Sequence, residues 1–460
     1  MVEVLRNRPI LILAIALIVG LSIVEYRWNL LFIPVLGFLL RDTRSLVAIG
    51  VGFLGGFLIS PEIPDRGVEK SKYVESPAQV VSVPRLYPDR ISYILEVQDK
   101  RLAVTEPLHA SRSYGDRVRV KGLVRPLKEG TEAFQLAKGI VGRLQLFSAE
   151  SISFGPQWYR SAADLRRGFV DFTHQHMAAD RAAVLDALCF NVEGGLSKEF
   201  EDDLRSTGTI HIISASGLHV LVLAWVIDAL LGLLPLPRPL RLLVLGLVLA
   251  LYAAAAGLQP AIIRSVLMSM VALTAYIWKR ESDLLSALAL SSLAYLLWEP
   301  LGIYNLGFQF SFLTVAAFAL FGTLKENFPK SAAGFVRENL MDSLRTTGIA
   351  YVATIPLLAF YFGAVSLVAI PSNLLIVPVV MALVVAGIAS YGLSFFIPGA
   401  AEVLIKVLIE PLIAYLQWVI HLFGNLSISS VPGQFFGGYW LILFYMLFLV
   451  MLVRERVRPA

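Results

Sequence analysis

Cysteine is nearly missing from this chain. A single one, Cys189, stands among 460 residues, which excludes an intrachain disulfide and any zinc site built on several thiolates. Its neighbours are apolar, and a packing role is the reading it receives. Charge is scarce as well, with Asp, Glu, Lys and Arg at only 16% of positions. A soluble chain of this length must clothe its surface in more polar residues than that. No GxxxxGK[ST] loop is present, so the chain is not expected to hydrolyse ATP. His174 and His176 form a His-x-His pair, but no acidic or histidine partners follow at metal-ligand spacing. Glu199, Glu201, Asp202 and Asp203 fit the first turns of a helix, where the macrodipole favours carboxylates. No metal or cofactor is expected.

What fills the chain instead is apolar. Hydrophobic residues make up 57% of it and the mean hydropathy is +0.71. They come in blocks of about 15–22 residues, the length a ~30 Å hydrocarbon core demands. Arg6 and Arg8 precede a run from Pro9 to Val24, but no small-x-small cleavage site follows it. This first block therefore reads as a retained anchor rather than a removed signal. Asn29–Leu40 and Ser45–Ser60 follow at once, so 1–60 is an N-terminal group of membrane segments. Further blocks lie near 211–232, 242–258, 261–278, 284–298, 303–323, 346–363, 373–393, 402–423 and 438–454. The fold class that follows is a polytopic α-helical membrane protein of about twelve spans.

Between the two groups of spans the pattern changes. Residues 69–156 carry short alternating runs at Ala78–Val83, Ile91–Val97, Arg101–Val104, Arg117–Val124 and Ile140–Phe147. Five short period-2 strands read as a small sandwich or barrel, and their number suits an OB-fold-like domain. Residues 161–207 read as amphipathic, interfacial helices, with Ala162–Met177 fit to lie along a membrane surface and Ser197 as an N-cap. Residues 208–454 then form the main membrane domain.

Basic residues orient the whole. With the N-terminus in the cytoplasm, the cytoplasmic connections hold Arg41/Arg44, Arg238/Arg241, Lys279/Arg280, Lys325 to Arg345, and the tail Arg454/Arg456/Arg458. The opposite side receives Gln259-Pro260, Glu299-Pro300, Gly363–Pro371 and Gly424–Gly438, none with Lys or Arg. By the positive-inside rule both termini face the cytoplasm and the β domain is extracytoplasmic.

Polar groups inside apolar blocks mark helix contacts or a pathway. The richest set is His211-Ile212-Ile213-Ser214-Ala215-Ser216-Gly217-Leu218-His219. Small-residue helix packing with satisfied histidines accounts for it as readily as a path does. Gln259-Pro260 with Arg264, Gln309 with Ser311, and Asn373 between Pro371 and Pro378 accompany it. The last arrangement suits a broken or re-entrant segment. Together the four sets point to a polar conduit. In the β domain, residues 68–160 hold 15 Lys+Arg against 10 Asp+Glu. The cations gather at Arg112, Arg117, Arg119, Lys121, Arg125 and Lys128, with Tyr87, Tyr93 and Tyr114 as candidate stackers. This is either a solvated strand face or a single-strand nucleic-acid surface.

These residues also resemble a known family. His211 to His219 is similar to the H-L-L-A-I-S-G-L-H signature of the ComEC family, the bacterial DNA-uptake channels. Gly257 through Pro260 to Arg264 resembles its G-x-x-x-x-x-x-R segment, and Gly307 to Phe312 its G-F-Q-L-S-F. Pro356, Phe362-Gly363, Ser366, Asn373 and Pro378 match a later block in spacing. The resemblance implies a channel passing one DNA strand across the cytoplasmic membrane during natural transformation, not an enzyme. It implies that His211, Ser214, Ser216, Gly217, His219, Gln259, Arg264, Gln309, Ser311 and Asn373 line or shape the path. Expected partners are single-stranded DNA, membrane lipids, an extracytoplasmic DNA receptor and a cytoplasmic helicase-like ATPase, with a homo-oligomer left open. The sequence carries no HxHxDH motif, so nuclease activity is not expected. Two other readings stand beside this one: an intramembrane hydrolase with Ser216 as nucleophile and His211 or His219 as base, and a permease for another solute.

Overall fold

Alternation of small apolar and polar residues builds the first domain. The computed structural model describes residues 67–432, except 69–70, 88–89, 108–111, 128–134, 137–138, 193–194, 214–216, 278–283, 322–331 and 427–429. The N-terminal segments 1–60, the block near 438–454 and the basic tail therefore lie outside the described residues. Strands β1 (Lys72–Val80), β2 (Arg85–Leu86), β3 (Arg90–Val97), β4 (Lys100–Pro107), β5 (Arg117–Arg125) and β6 (Ile140–Ser153) form one sheet in the order β1-β5-β6-β4-β3-β2. β1 also pairs with β3, through Gln79 opposite Glu96 and Val80 opposite Leu95. The pairing path β1-β5-β6-β4-β3 thus returns to β1. Only β4 and β6 run parallel. Gln98 and Asp99, both at positive φ, make the tight turn from β3 to β4. The inward positions Val80, Ile91, Leu95, Leu102, Val104, Val118, Val120 and Leu144 form one core. The Lys72–Pro77 half of β1 escaped the sequence reading because Pro77 interrupts its alternation.

Helices follow: α1 (Gln157–His176), α2 (Ala179–Phe190), α3 (Lys198–Ser206), α4 (Ile210–Ile213), α5 (Gly217–Gly232), α6 (Arg238–Ala255), α7 (Pro260–Ile277), α8 (Leu284–Trp298), α9 (Leu306–Phe321), α10 (Ala332–Phe362), α11 (Ala369–Ser394), α12 (Pro398–Leu404) and α13 (Glu410–Gly424). A π-helical turn at Ile405–Ile409 joins the last two into one rod. Among the described residues, four helices are long and apolar enough to cross a membrane: Arg238–Ala255, Leu344–Tyr361, Ala369–Ser394 and Pro398–Gly424. Four shorter apolar ones accompany them, Gly217–Gly232, Pro260–Ala275, Leu284–Trp298 and Leu306–Ala319. Eight of the expected spans thus correspond to described helices.

Helix α1 has firm protein contacts. Phe169 packs on Phe190 and edge-on to Tyr391, and Gly168 sits against the Tyr391 hydroxyl, so α1 is fastened to α2 and α11. One expectation changes, for the segment after Pro371 is not broken. α11 runs through Pro378 as one 26-residue helix, because Pro371 falls in its first turn and the surrounding helices hold the rest. Ser197 does cap α3, its hydroxyl accepting from the Phe200 amide at 3.2 Å.

The β domain and the helices meet at named points. The Arg166 guanidinium, buried in α1, donates to Pro84 O at 2.8 Å. Arg101 pairs with Glu299 at 3.6 Å, and Leu301 closes on Gly139. Gly257 lies beside Val83. The domain therefore sits on the turns at 257–260 and 299–301, two of the Lys- and Arg-free connections.

Candidate functional site

The turn between α6 and α7 sets the site. Gly257 and Leu258 both adopt positive φ, and the Leu258 amide returns to Ala253 O at 2.8 Å, capping α6. Pro260 then opens α7, where a missing amide hydrogen costs nothing. Gln259 is half-buried, and its carbonyl accepts the Ile262 and Ile263 amides at 3.0 Å each. One turn on, Arg264 points inward and is only 6% exposed.

Three sequence motifs converge on that guanidinium. Gly217, the first residue of α5, lies so close that an added Cβ would stand 2.5 Å from Arg264 Nη2 and overlap Ser265 Oγ. Any side chain there displaces the guanidinium, which is why a glycine is needed. Phe312 of α9 presents its ring with the centroid 5.8 Å from Arg264 Cζ. Phe308 and Tyr295 continue the stack behind it, at 4.1 and 5.4 Å between centroids. Arg264 itself bonds Ser265 Oγ at 3.3 Å and reaches Met268 Sδ at 4.0 Å, while Nε has no hydrogen-bond partner among the described residues. A buried charged donor without an acceptor is costly, so this atom is poised for one.

The remaining path candidates distribute unevenly. His219 is 1% exposed on α5, which packs against both α7 and α11. On α11, Asn373 is 8% exposed with Oδ1 unpartnered among the described residues, and neighbouring Ser372 Oγ is in the same position. Arg264, His219, Ser372 and Asn373 thus put buried polar groups on α5 and on the two helices, α7 and α11, that each pack against it. Ser372 was missed in the sequence because a serine beside Pro371 reads as turn chemistry. His211 stands apart and exposed on α4, its ring bonded to the Gly208 backbone. Gln309 turns back on its own helix start, donating Nε2–H to Ile303 O at 3.0 Å. Asn305 caps the same start, accepting the Gly307 amide at 2.8 Å. Ser311 is half-buried. Ser214 and Ser216 lie outside the described residues.

In the β domain the cations separate into two kinds. Arg117, Arg119 and Arg125 are exposed on β5, and Lys121 beside them pairs with Glu75 at 2.8 Å, which holds its ammonium above its ordinary value. Arg112 belongs to the interior. Its guanidinium takes Glu106 at 3.0 and 3.2 Å, Ser151 Oγ at 3.0 Å and Ala149 O at 3.0 Å. With its donors committed and its side chain buried, it does not belong to an exposed binding row. Tyr93 is likewise no stacker: it is buried and donates to the same Glu106 at 2.6 Å, with burial raising its phenol first and the carboxylate adding to that. Tyr114 packs on Tyr159, and Tyr87 lies under Arg90. Lys128 lies outside the described residues. His174 and His176 do not converge, since His174 meets Asp186 at 3.2 Å while His176 bonds Phe172 O.

A bundle of apolar helices enclosing buried polar groups, with a β domain on its loops, defines a membrane protein. Residues 188–458 match the family described as Competence protein, and this chain belongs to that family. It is also 27% identical over 242 residues to ComE operon protein 3 of Bacillus subtilis (strain 168), an alignment covering 50% of this chain and 30% of that protein. The chain therefore spans less than a third of that relative's length in the match. No solved structure matches.

Proposed function

We propose that this chain conducts single-stranded DNA across the cytoplasmic membrane during natural transformation. The observation that carries the reading is the meeting of Gly217, Arg264 and Phe312, from three separate motifs, around one buried guanidinium. A phosphate oxygen is an acceptor suited to the Nε that has no partner among the described residues, and a guanidinium is the side chain suited to it. Buried polar groups on α5, α7 and α11 supply hydrogen bonds along such a path. Their sparseness favours passage over tight binding, since a conducting site must also release.

On this reading the β domain is an OB-fold barrel, which its strand order and its parallel β4·β6 pairing support. It faces outward. The contacts with the turns at 257–260 and 299–301 agree with the charge pattern, because those turns lack Lys and Arg. About twelve spans with both termini cytoplasmic complete the topology. Without a phosphate-binding loop, the driving force is assigned to a helicase-like ATPase on the inner side, and delivery to a DNA receptor outside. The reading gives Ser216 no catalytic part.

Replacing Arg264 tests it. Arg264→Ala is expected to lower uptake of labelled DNA into the nuclease-protected fraction at least about tenfold, equivalent to about 1.4 kcal/mol, with Arg264→Lys between it and wild type. Normal uptake by Arg264→Ala, at a membrane level matched by immunoblot, rejects the reading.

A further inference from the structure

The outer face of the β domain carries an aromatic pair that its core does not use. Tyr73 on β1 and Phe147 on β6 lean toward each other over β5, with ring centroids 6.5 Å apart and planes 20° apart. They are 55% and 63% exposed. Phe147 owes its position to a bulge. Lys121 pairs with Ser148 and Gly122 with Leu146, so Phe147 is the extra residue between them. A bulge re-aims a side chain, and here it turns a large ring to water. A second bulge does the same for Ile152, between the partners of Arg117 and Val118.

Cations run along the strand beneath the rings. Arg117, Arg119 and Arg125 are exposed on β5, and Lys121 shares their face by alternation. Two carboxylates share it as well: Glu75, paired with Lys121 at 2.8 Å, and Glu150, opposite Arg119 in register. Four cations against two carboxylates leave the face positive. From Arg117 to Leu123, which pairs with Tyr73, the strand rises about 20 Å.

We infer that Tyr73 and Phe147 form a base-stacking platform for single-stranded nucleic acid, with Arg117, Arg119 and Lys121 holding the adjoining phosphates. Bases in a duplex offer no free face to stack, whereas a single strand offers one at every nucleotide. The rings are near-parallel and stacked, so a base can continue the stack on an outer ring face. The line of cations leading from them suits a backbone that continues past the stacked base. That the strand is DNA rests on the import reading above.

The test uses the full chain in nanodiscs of zwitterionic lipid, with a fluorescent oligothymidylate titrated across salt concentrations. Tyr73→Ala/Phe147→Ala is expected to weaken binding about tenfold or more with the salt slope unchanged. Tyr73→Trp/Phe147→Trp should restore it, which separates stacking from loss of fold. Arg117→Ala/Arg119→Ala should make the slope shallower by about 0.7 per cation. Wild-type affinity in the double alanine variant, or no wild-type binding at low salt, overturns the platform. So does a loss confined to anionic vesicles, which would make this a lipid-facing surface. Arg264→Ala keeps the two readings apart. If it stops uptake while the double alanine variant binds normally, the platform falls and the import reading stands. If the platform binds as expected and Arg264→Ala imports normally, the reverse holds.

Discussion

At Arg264 the energetics are those of a charge held away from water with one donor, Nε, unpartnered among the described residues. Its position depends on Gly217, because any Cβ would occupy the space of the guanidinium. Gly217→Ala is therefore expected to lower DNA uptake several-fold. Gly392→Ala, in α11 with nothing within 4 Å of its Cβ position, should leave uptake unchanged and add up to about 1 kcal/mol of helix stability. Equal uptake by the two variants at equal membrane levels would remove Gly217 from the site. A second buried group behaves differently. Asp186 in α2, outside the apolar helices, receives the Thr173 hydroxyl at 2.6 Å and faces His174 Nε2 at 3.2 Å. Burial pushes its carboxyl up to about 8, the Thr173 bond opposes that, and Asp171 adds to it. The folded chain thus holds this proton at pH values where the unfolded chain, titrating near 3.9, has lost it. Stability contributed by the neutral form is present at low pH and lost as pH rises from about 4 through 8. The thermal midpoint of the solubilised protein should fall across that window, and Asp186→Asn should flatten the fall. An unchanged pH slope in the variant would show that the proton sits elsewhere.

Among elements, β5 shows how alternation sorts residues of one charge into different work. Arg117 and Arg119 alternate with Val118 and Val120 and so face water while the valines fill the core. Arg112, five residues earlier, enters the loop before β5 and is drawn inward by Glu106 and Tyr93. Breaking that part-buried pair takes from Glu106 its charged partner and leaves it only the Tyr93 hydroxyl, a loss of about 1–3 kcal/mol. Arg112→Ala is thus expected to lower the melting temperature of the β domain without altering the salt slope of oligonucleotide binding. Arg119→Ala should do the opposite. A shallower slope in Arg112→Ala, at normal stability, would return Arg112 to the binding row. Sequence spacing could not separate these two arginines, since both stand in one cluster of cations around the start of β5. The acceptor that decides between them, Glu106, comes from another strand, β4.

For the whole molecule, the β domain and the helices α1–α3 are joined to the bundle by specific polar contacts. Arg166 reaches Pro84 O, Arg181 pairs with Glu410 at 3.2 Å, and His421 meets Asp203 at 2.9 Å. The last two fasten α2 and α3 along the rod from Pro398 to Gly424. The amphipathic helices of 161–207 are thus packed against the bundle. Orientation is testable through the nearly missing cysteine. Cys189 is fully buried, so it supplies little background reaction. Ser148→Cys, on the exposed face of β6, is expected to react with a membrane-impermeant maleimide in intact spheroplasts, and Arg238→Cys only after permeabilisation. Labelling in the reverse order would invert the topology.

By itself the sequence determined the membrane class, the alternating β insertion, the eight apolar blocks that became helices, and the cap at Ser197. All of these rest on periodicity, block length or neighbours a few residues apart, which are properties of a one-dimensional string. Tertiary structure alone decided which polar residues are confined together. It set Gly217 and Phe312, ninety-five positions apart, on either side of Arg264. It turned Gln309 back on its own helix, took Arg112 and Tyr93 out of the exposed face, and brought Phe147 out beside Tyr73 through a bulge. The physical reason is common to all of them. Whether a polar or aromatic side chain is satisfied, orphaned or exposed depends on partners supplied by distant elements, and only the folded chain brings those within hydrogen-bond or van der Waals reach.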